Sequence, residues 1–235
     1  MKHRIWELDA ARGICLFLMF YCHIVYDLVY LFGTVTTIND GGLFQFTTNY
    51  TGILFLTLSG ISATLGKHPV KRGLTVFGGG MLVTLATYLM YKFGFAGKGL
   101  LIYFGILHCI GICMLLWPIF RKLPWWVLLP LGLAVTCIPE LLSGIRTDSY
   151  ALLPFGIYPF NFQSSDYFPL LPCFGYFLIG GGLGQILYKN KKSLLPEPHF
   201  FPFNALCFMG RHSLFIYLAH QPILAGCIYV ISILI

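Results

Sequence analysis

Charge is what this chain has least of. Only 10% of its 235 residues are Asp, Glu, Lys or Arg, against about 25% in an ordinary soluble domain. With 57% of residues apolar and a mean hydropathy of +0.79, the chain is too poor in charge to cover itself with a water-facing surface. A soluble globular domain is therefore excluded. Linker-like and low-complexity stretches are missing, and so is an internal repeat, so a single unit over residues 1–235 is expected. There is no Cys-x-x-Cys pair: the eight cysteines are scattered through apolar runs, as buried thiols acting as small apolar side chains would be. His-x-x-x-His is also absent, so no metal is expected. No Ala-x-Ala-like cleavage site closes the apolar run after Met1-Lys2-His3-Arg4, which makes that run a retained span rather than a signal peptide. The net charge of +7 is spread over short loops, which argues against nucleic acid as a partner.

What is present is a series of seven apolar runs, at 11–32, 48–66, 72–92, 98–120, 124–139, 166–188 and 212–234. Each is about 16–24 residues long, enough for a hydrocarbon core of about 30 Å. The fold expected is all-α: a polytopic membrane helix bundle of about seven transmembrane helices. With the N-terminus in the cytoplasm, twelve of the fifteen Lys and Arg fall inside and only Lys92, Lys98 and Arg146 outside. That bias sets an N-in, C-out topology, most simply in a bacterial plasma membrane. Residues 198–210, which contain Pro202, suggest a short interfacial helix. The outer loop 33–47 is uncharged except for Asp40, and the loop 140–165 is aromatic enough to form a lid or lie at the interface. The runs Gly78-Gly79-Gly80 and Gly180-Gly181-Gly182 permit close helix packing, also between subunits of a homo-oligomer, or leave room for a bound chain.

Ionisable residues inside such runs are costly, about 2.5–3.5 kcal/mol for Asp at a helix centre. His23 and Asp27 are one helical turn apart in the first run, so both project from one face and the carboxylate can orient the imidazole. His23 is eleven residues past Arg12, about 16 Å along a helix. His220 is nine residues past Arg211, about 14 Å, and His108 ten from Lys98, about 15 Å. All three histidines then lie near the midplane, as one internal site would require. Hydrogen-bonded packing histidines, a metal triad and a proton relay are the other uses of such residues. Arg12 and Arg211, with Lys71 and Arg72, form a second, inner cluster suited to a phosphate-bearing ligand. Arg211 stands in Gly210-Arg211-His212-Ser213 where a helix begins, and Ser213 or the residues before it can leave backbone N–H groups facing an anion. Anchoring by the positive-inside rule explains most of these cations equally well.

Several stretches carry a family resemblance. Leu8-Asp9-Ala10-Ala11-Arg12-Gly13 followed by His23 resembles the opening of the transmembrane acyltransferases, in the branch that O-acylates surface polysaccharides. Leu58-Ser59-Gly60-Ile61-Ser62, Phe104-Gly105-Ile106-Leu107-His108-Cys109-Ile110-Gly111 and Gly210-Arg211-His212-Ser213-Leu214-Phe215-Ile216-Tyr217-Leu218-Ala219-His220-Gln221-Pro222 resemble the heparan-alpha-glucosaminide N-acetyltransferase catalytic domain and its small bacterial relatives. The resemblance implies an enzyme that uses cytosolic acetyl-CoA to acetylate an extracytoplasmic glycan or small acceptor. It implies that the CoA phosphates sit at the inner basic end, on Arg12, Arg211, His212, Ser213, Lys71 and Arg72. In the lysosomal enzyme the catalytic histidine lies in the loop after the first span. Residues 33–47 have no histidine, so the polysaccharide pattern puts catalysis on His23. On that reading His23 is the general base, Asp27 fixes its tautomer, and His220 or His108, helped by Tyr217, donates to the thioester oxygen. The rivals are a small proton-coupled transporter and a non-catalytic membrane subunit.

Overall fold

The computed structural model describes residues 5–31, 42–95, 97–142, 144–196, 198 and 201–234. Lys2, Arg4, Asp40, His199 and residues 33–41 of the first outer loop lie outside these. Among these residues eight α-helices follow in order: α1 Trp6–Tyr26, α2 Gly42–Leu65, α3 Pro69–Lys92, α4 Ile106–Phe120, α5 Trp125–Leu141, α6 Leu170–Leu187, α7 Phe201–Arg211 and α8 Ser213–Leu234. A π-helical turn, Asp27–Leu31, continues α1. Among the described residues there is no strand, only an isolated bridge between Phe104 and Tyr167. The all-α expectation holds, and the stretch around 198–210 contains a helix of its own, α7. Among the described residues, three segments are long and apolar enough to cross a membrane: Trp6–Val29, Pro69–Lys92 and Leu170–Leu187. Ile106–Phe120, Trp125–Leu141 and Ser213–Leu224 are apolar but shorter.

The helices divide into two compact units. The first is discontinuous, Met1–Phe55 with Lys192–Ile235; the second is Leu56–Lys191. In the first, α1 packs chiefly on α7. Trp6 sets the start of α1: its ring meets Phe203 edge-on at 4.9 Å, and its Nε1 donates to the Leu195 carbonyl at 3.0 Å. The Glu7 carboxylate accepts the Leu195 N–H at 3.0 Å, which fastens the connector before α7 onto α1.

In the second unit, α3 pairs with α4 and α5 with α6. Small residues set the α5–α6 approach: a Cβ on Gly132 would stand 2.8 Å from the Gly175 carbonyl oxygen. Helix backbones come this close only where side chains are missing. The run Gly180 to Gly182 is backed by Thr57, the Trp117 ring and Leu129 in turn. These glycines therefore serve helix packing, and no room for a bound chain remains beside them.

The expected helix over 98–120 is the main departure. Residues 98–100 form a 3-10 turn and α4 starts only at Ile106. Gly97, Gly99 and Gly105 interrupt this stretch, and Gly105 is extended at φ −90°, ψ −175°. Its backbone groups are taken up by side chains. Ser165 and Ser164 donate to the carbonyls of Leu100 and Leu101 at 3.0 and 2.8 Å. Thr84 donates to the Ile102 carbonyl at 2.7 Å, and Thr87 accepts the Ile102 N–H at 3.3 Å. Asp166 accepts the Ile106 N–H at 3.2 Å, capping α4 with the negative charge its N-terminus favours. Irregular backbone in an apolar setting needs this kind of internal satisfaction. The aromatic loop lies against the same segment: Tyr103 meets Tyr150 at 5.2 Å and Phe162 at 5.9 Å, and Arg146 sits 4.5 Å over the Tyr158 ring.

Candidate functional site

The first unit collects most of the residues singled out in the sequence. The rings of His23 on α1 and His220 on α8 are 4.7 Å apart between centroids. Phe20, one turn before His23, stacks on His220 at 5.7 Å and 27°. The two histidines, 197 positions apart, thus meet with their ring planes tilted by 56°.

His220 is buried, and its ring is held from one side. Its Nδ1 bonds the backbone carbonyl of Tyr217. A carbonyl only accepts, so Nδ1 carries the proton and Nε2 keeps its lone pair. That Nε2 is buried and has no hydrogen-bond partner. Pro222 stands inside α8 and lacks the N–H that would bond the Leu218 carbonyl, which loosens this turn. Tyr217 therefore reaches the site through its carbonyl as well as through its ring, which lies 5.3 Å from that of His220.

Asp27 does not take the expected partner. The carboxylate, 1% exposed, accepts from Gln221 Nε2, 3.2 Å from each oxygen. The turn from His23 to Asp27 is still α-helical, with the Asp27 N–H on the His23 carbonyl, and the widened π turn follows it; it is the side chain that turns to α8. Gln221 was quoted in a motif but not read as a site residue. Its signal was a polar amide between His220 and Pro222 in an otherwise apolar helix. Because a carboxylate can face only the amide nitrogen, the Gln221 oxygen points elsewhere, and that Oε1 is buried without a partner. Thr51 Oγ1 on α2 is a third buried polar atom of this unit in that condition.

Two glycines explain the opening and closing motifs together. A Cβ on Gly13 would strike the Leu206 carbonyl, and one on Gly210 the Asp9 carbonyl. The Asp-x-x-Arg-Gly and Gly-Arg-His-Ser stretches are therefore two sides of one helix crossing, α1 on α7. Arg12 pairs with Asp9 at 3.9 Å, with its side chain 15% exposed. Arg211 Nε donates to the Cys207 carbonyl at 3.1 Å, and the residue is otherwise exposed. His212 closes α7: its Nδ1 bonds the Phe208 carbonyl at 3.0 Å and its ring lies 4.4 Å from that of Phe208. Its own carbonyl accepts the Ile216 N–H at 3.0 Å, so α8 starts at Ser213 with the first-turn N–H groups lacking intrahelical acceptors.

His108, Lys71 and Arg72 belong to the second unit. His108 stands in the first turn of α4, not ten helical residues from Lys98, because 98–105 is not α-helical. It is 3% exposed and both ring nitrogens are engaged. Nδ1 accepts the Gly105 N–H at 3.1 Å, so the proton is on Nε2, which meets Thr84 Oγ1 at 3.3 Å. Lys71 and Arg72 are exposed in the first turn of α3. The Arg72 guanidinium folds over the α2–α3 turn, where a Cβ on Gly66 would be 2.8 Å from Nη1.

The site thus offers a buried imidazole lone pair, a second imidazole beside it and an amide oxygen awaiting a donor. Two arginines flank the helix crossing of the same unit. No curated protein and no solved structure matches the chain. One family profile does, over residues 4–222: heparan-alpha-glucosaminide N-acetyltransferase, catalytic. The chain belongs to that family.

Proposed function

We propose that this member of a membrane acetyltransferase family takes the acetyl group of cytosolic acetyl-CoA and delivers it to a sugar or small acceptor at the outer face of a bacterial plasma membrane. The observation that carries this reading is the free Nε2 of His220, buried beside His23. Buried polar atoms are nearly always paired, so a base nitrogen left open inside an apolar helix is suited to take a proton from a substrate.

The roles of the two histidines are exchanged relative to the sequence reading. With its proton held by the Tyr217 carbonyl, His220 can only accept at Nε2, so it acts as general base. It removes the proton from the acceptor hydroxyl or amine as that atom attacks the thioester carbonyl. The carbon–sulfur bond then breaks, and the CoA thiolate takes the proton back from the imidazolium. His23 donates to the thioester oxygen while negative charge develops there. Asp27 acts through Gln221 as a positioning residue, and the Gln221 oxygen receives an N–H or O–H of the acceptor. Arg12 and Arg211 hold the CoA phosphates, aided by the first-turn N–H groups at Ser213. His212 is a positioning residue that shapes this end. Lys71 and Arg72 are two further exposed cations open to a phosphate-bearing ligand. His108, with both nitrogens engaged, steadies α4 and stays out of the chemistry.

No observation favours the transporter. The test is acetyl-CoA binding and thiol release by the detergent-purified protein, for wild type, Arg211→Ala and His23→Ala. Micromolar binding that weakens in Arg211→Ala, with binding retained and transfer lost in His23→Ala, is the expected pattern. A well-folded wild type that neither binds acetyl-CoA nor releases thiol would end this reading.

A further inference from the structure

The second unit carries its charges in an uneven way. Its three carboxylates, Glu140, Asp148 and Asp166, fall at the C-terminal end of α5 or beyond and at the N-terminal end of α4. At the other end of these helices are Arg121 and Lys122 after α4, and Lys189 and Lys191 after α6. That end is one assembled surface: Gln185 Nε2 on α6 donates to the Leu123 carbonyl in the α4–α5 turn at 2.9 Å. Lys191 adopts φ 53°, and its N–H donates to the Tyr188 carbonyl at 2.9 Å. A lysine in that left-handed conformation, which favours glycine or asparagine, is a strained choice. Four cations therefore share a surface on which this unit places no carboxylate.

An open cavity of about 360 Å³ sits there, lined by Trp125, Gln185, Ile186 and Lys189. One wall presents an ammonium and an amide. The rest of the lining presents an indole 46% exposed and an isoleucine 44% exposed. A free phosphate would use only the cationic wall. A ligand with a phosphate joined to hydrocarbon would use both. Indole rings at a membrane–water interface and basic pockets between helices suit such a ligand.

We infer that this cavity is a binding site for an anionic phospholipid, with the headgroup phosphate on Lys189 and the first acyl methylenes against Trp125 and Ile186. It rests on the membrane placement of the chain and not on its catalytic reading. Arg121, Lys122 and Lys191 supply the surrounding positive field.

Native mass spectrometry of the full chain in detergent, titrated with phosphatidylglycerol and separately with phosphatidylcholine, tests this. Wild type should retain phosphatidylglycerol selectively. Lys189→Ala should weaken retention about fivefold, the effect of one surface cation, and Lys189→Arg should restore it. Trp125→Ala should weaken both lipids without removing the preference. Equal retention of the two lipids, or an unchanged Lys189→Ala protein of wild-type thermal stability, would overturn the assignment. So would displacement of the lipid by millimolar inorganic phosphate or by CoA, which would mark a free-phosphate or donor site instead.

Discussion

His108 and His220 begin as equals in the sequence, each a lone histidine in an apolar run, and end in opposite conditions. In the second unit the histidine closes a chain of hydrogen bonds running from Gly105 through His108 and Thr84 to the Ile102 carbonyl. In the first unit the histidine has one nitrogen tied and one left bare. The contrast extends beyond the two rings. The four buried side-chain atoms without partners among the described residues are on Glu7, Thr51, His220 and Gln221, all in the first unit. An unpaired buried polar atom costs about 1–3 kcal/mol. The fold thus satisfies even an irregular segment in one unit and leaves four such atoms in the other, two of them on the adjacent residues His220 and Gln221.

The strongest way to break this contrast is His220→Asn, which keeps a donor at the Nδ1 position for the Tyr217 carbonyl. Transfer, followed by release of CoA thiol, should fall about 10²–10⁴-fold, while the thermal midpoint stays near wild type because Nε2 has no structural partner. A large loss of stability with unchanged turnover per folded molecule would put His220 in the same class as His108. Next is His108→Ala, which strands the Gly105 N–H and removes the donor to Thr84 Oγ1. It should lower stability by about 1–3 kcal/mol, read by thermal unfolding, with turnover per folded molecule preserved. A fully stable but inactive His108→Ala would erase the distinction. Gln221→Met removes both the open amide oxygen and the N–H donor of Asp27, so it should raise the acceptor KM about tenfold, a loss near 1.4 kcal/mol, and lower stability by about 1–3 kcal/mol, while leaving acetyl-CoA affinity unchanged. If donor affinity fell instead, the amide would serve the other substrate. The smallest effect sharpens the comparison from the second unit: Thr84→Val should cost about 1 kcal/mol of stability and leave KM and kcat unaltered.

Much of the helical order could be read in advance because apolar runs and breaks speak locally. Pro69 opens α3, Pro124 precedes α5, and the stretch 201–211 stands apart as α7. Depth was less legible. Counting 1.5 Å per residue from Lys98 assumes a helix, and the segment 98–105 is held instead by side chains 15 to 65 positions away. The partner of Asp27 was hidden for a different reason: the i, i+4 spacing to His23 is kept, but the carboxylate bonds an amide 194 positions away, which local spacing does not show. The two flanking motifs could be seen as motifs. That their glycines exist for one crossing required the carbonyls of Leu206 and Asp9 to be placed. Gln221 Oε1 and His220 Nε2 matter for bonds they lack, and a missing bond has no sequence signature.

The first unit is split by the whole of the second, and this has a consequence for its birth. A ribosome adding about 5–20 residues per second finishes His220 roughly 10–40 s after His23. Everything from Leu56 to Lys191 is already synthesised by then, with its own contacts available to it. The half-site on α1 must wait through that interval with Asp27 unaccompanied and the Gly13 surface bare, so a chain that stalls before α7 yields no partly active product. Its exposed acidic, apolar face is what a quality-control protease would encounter first.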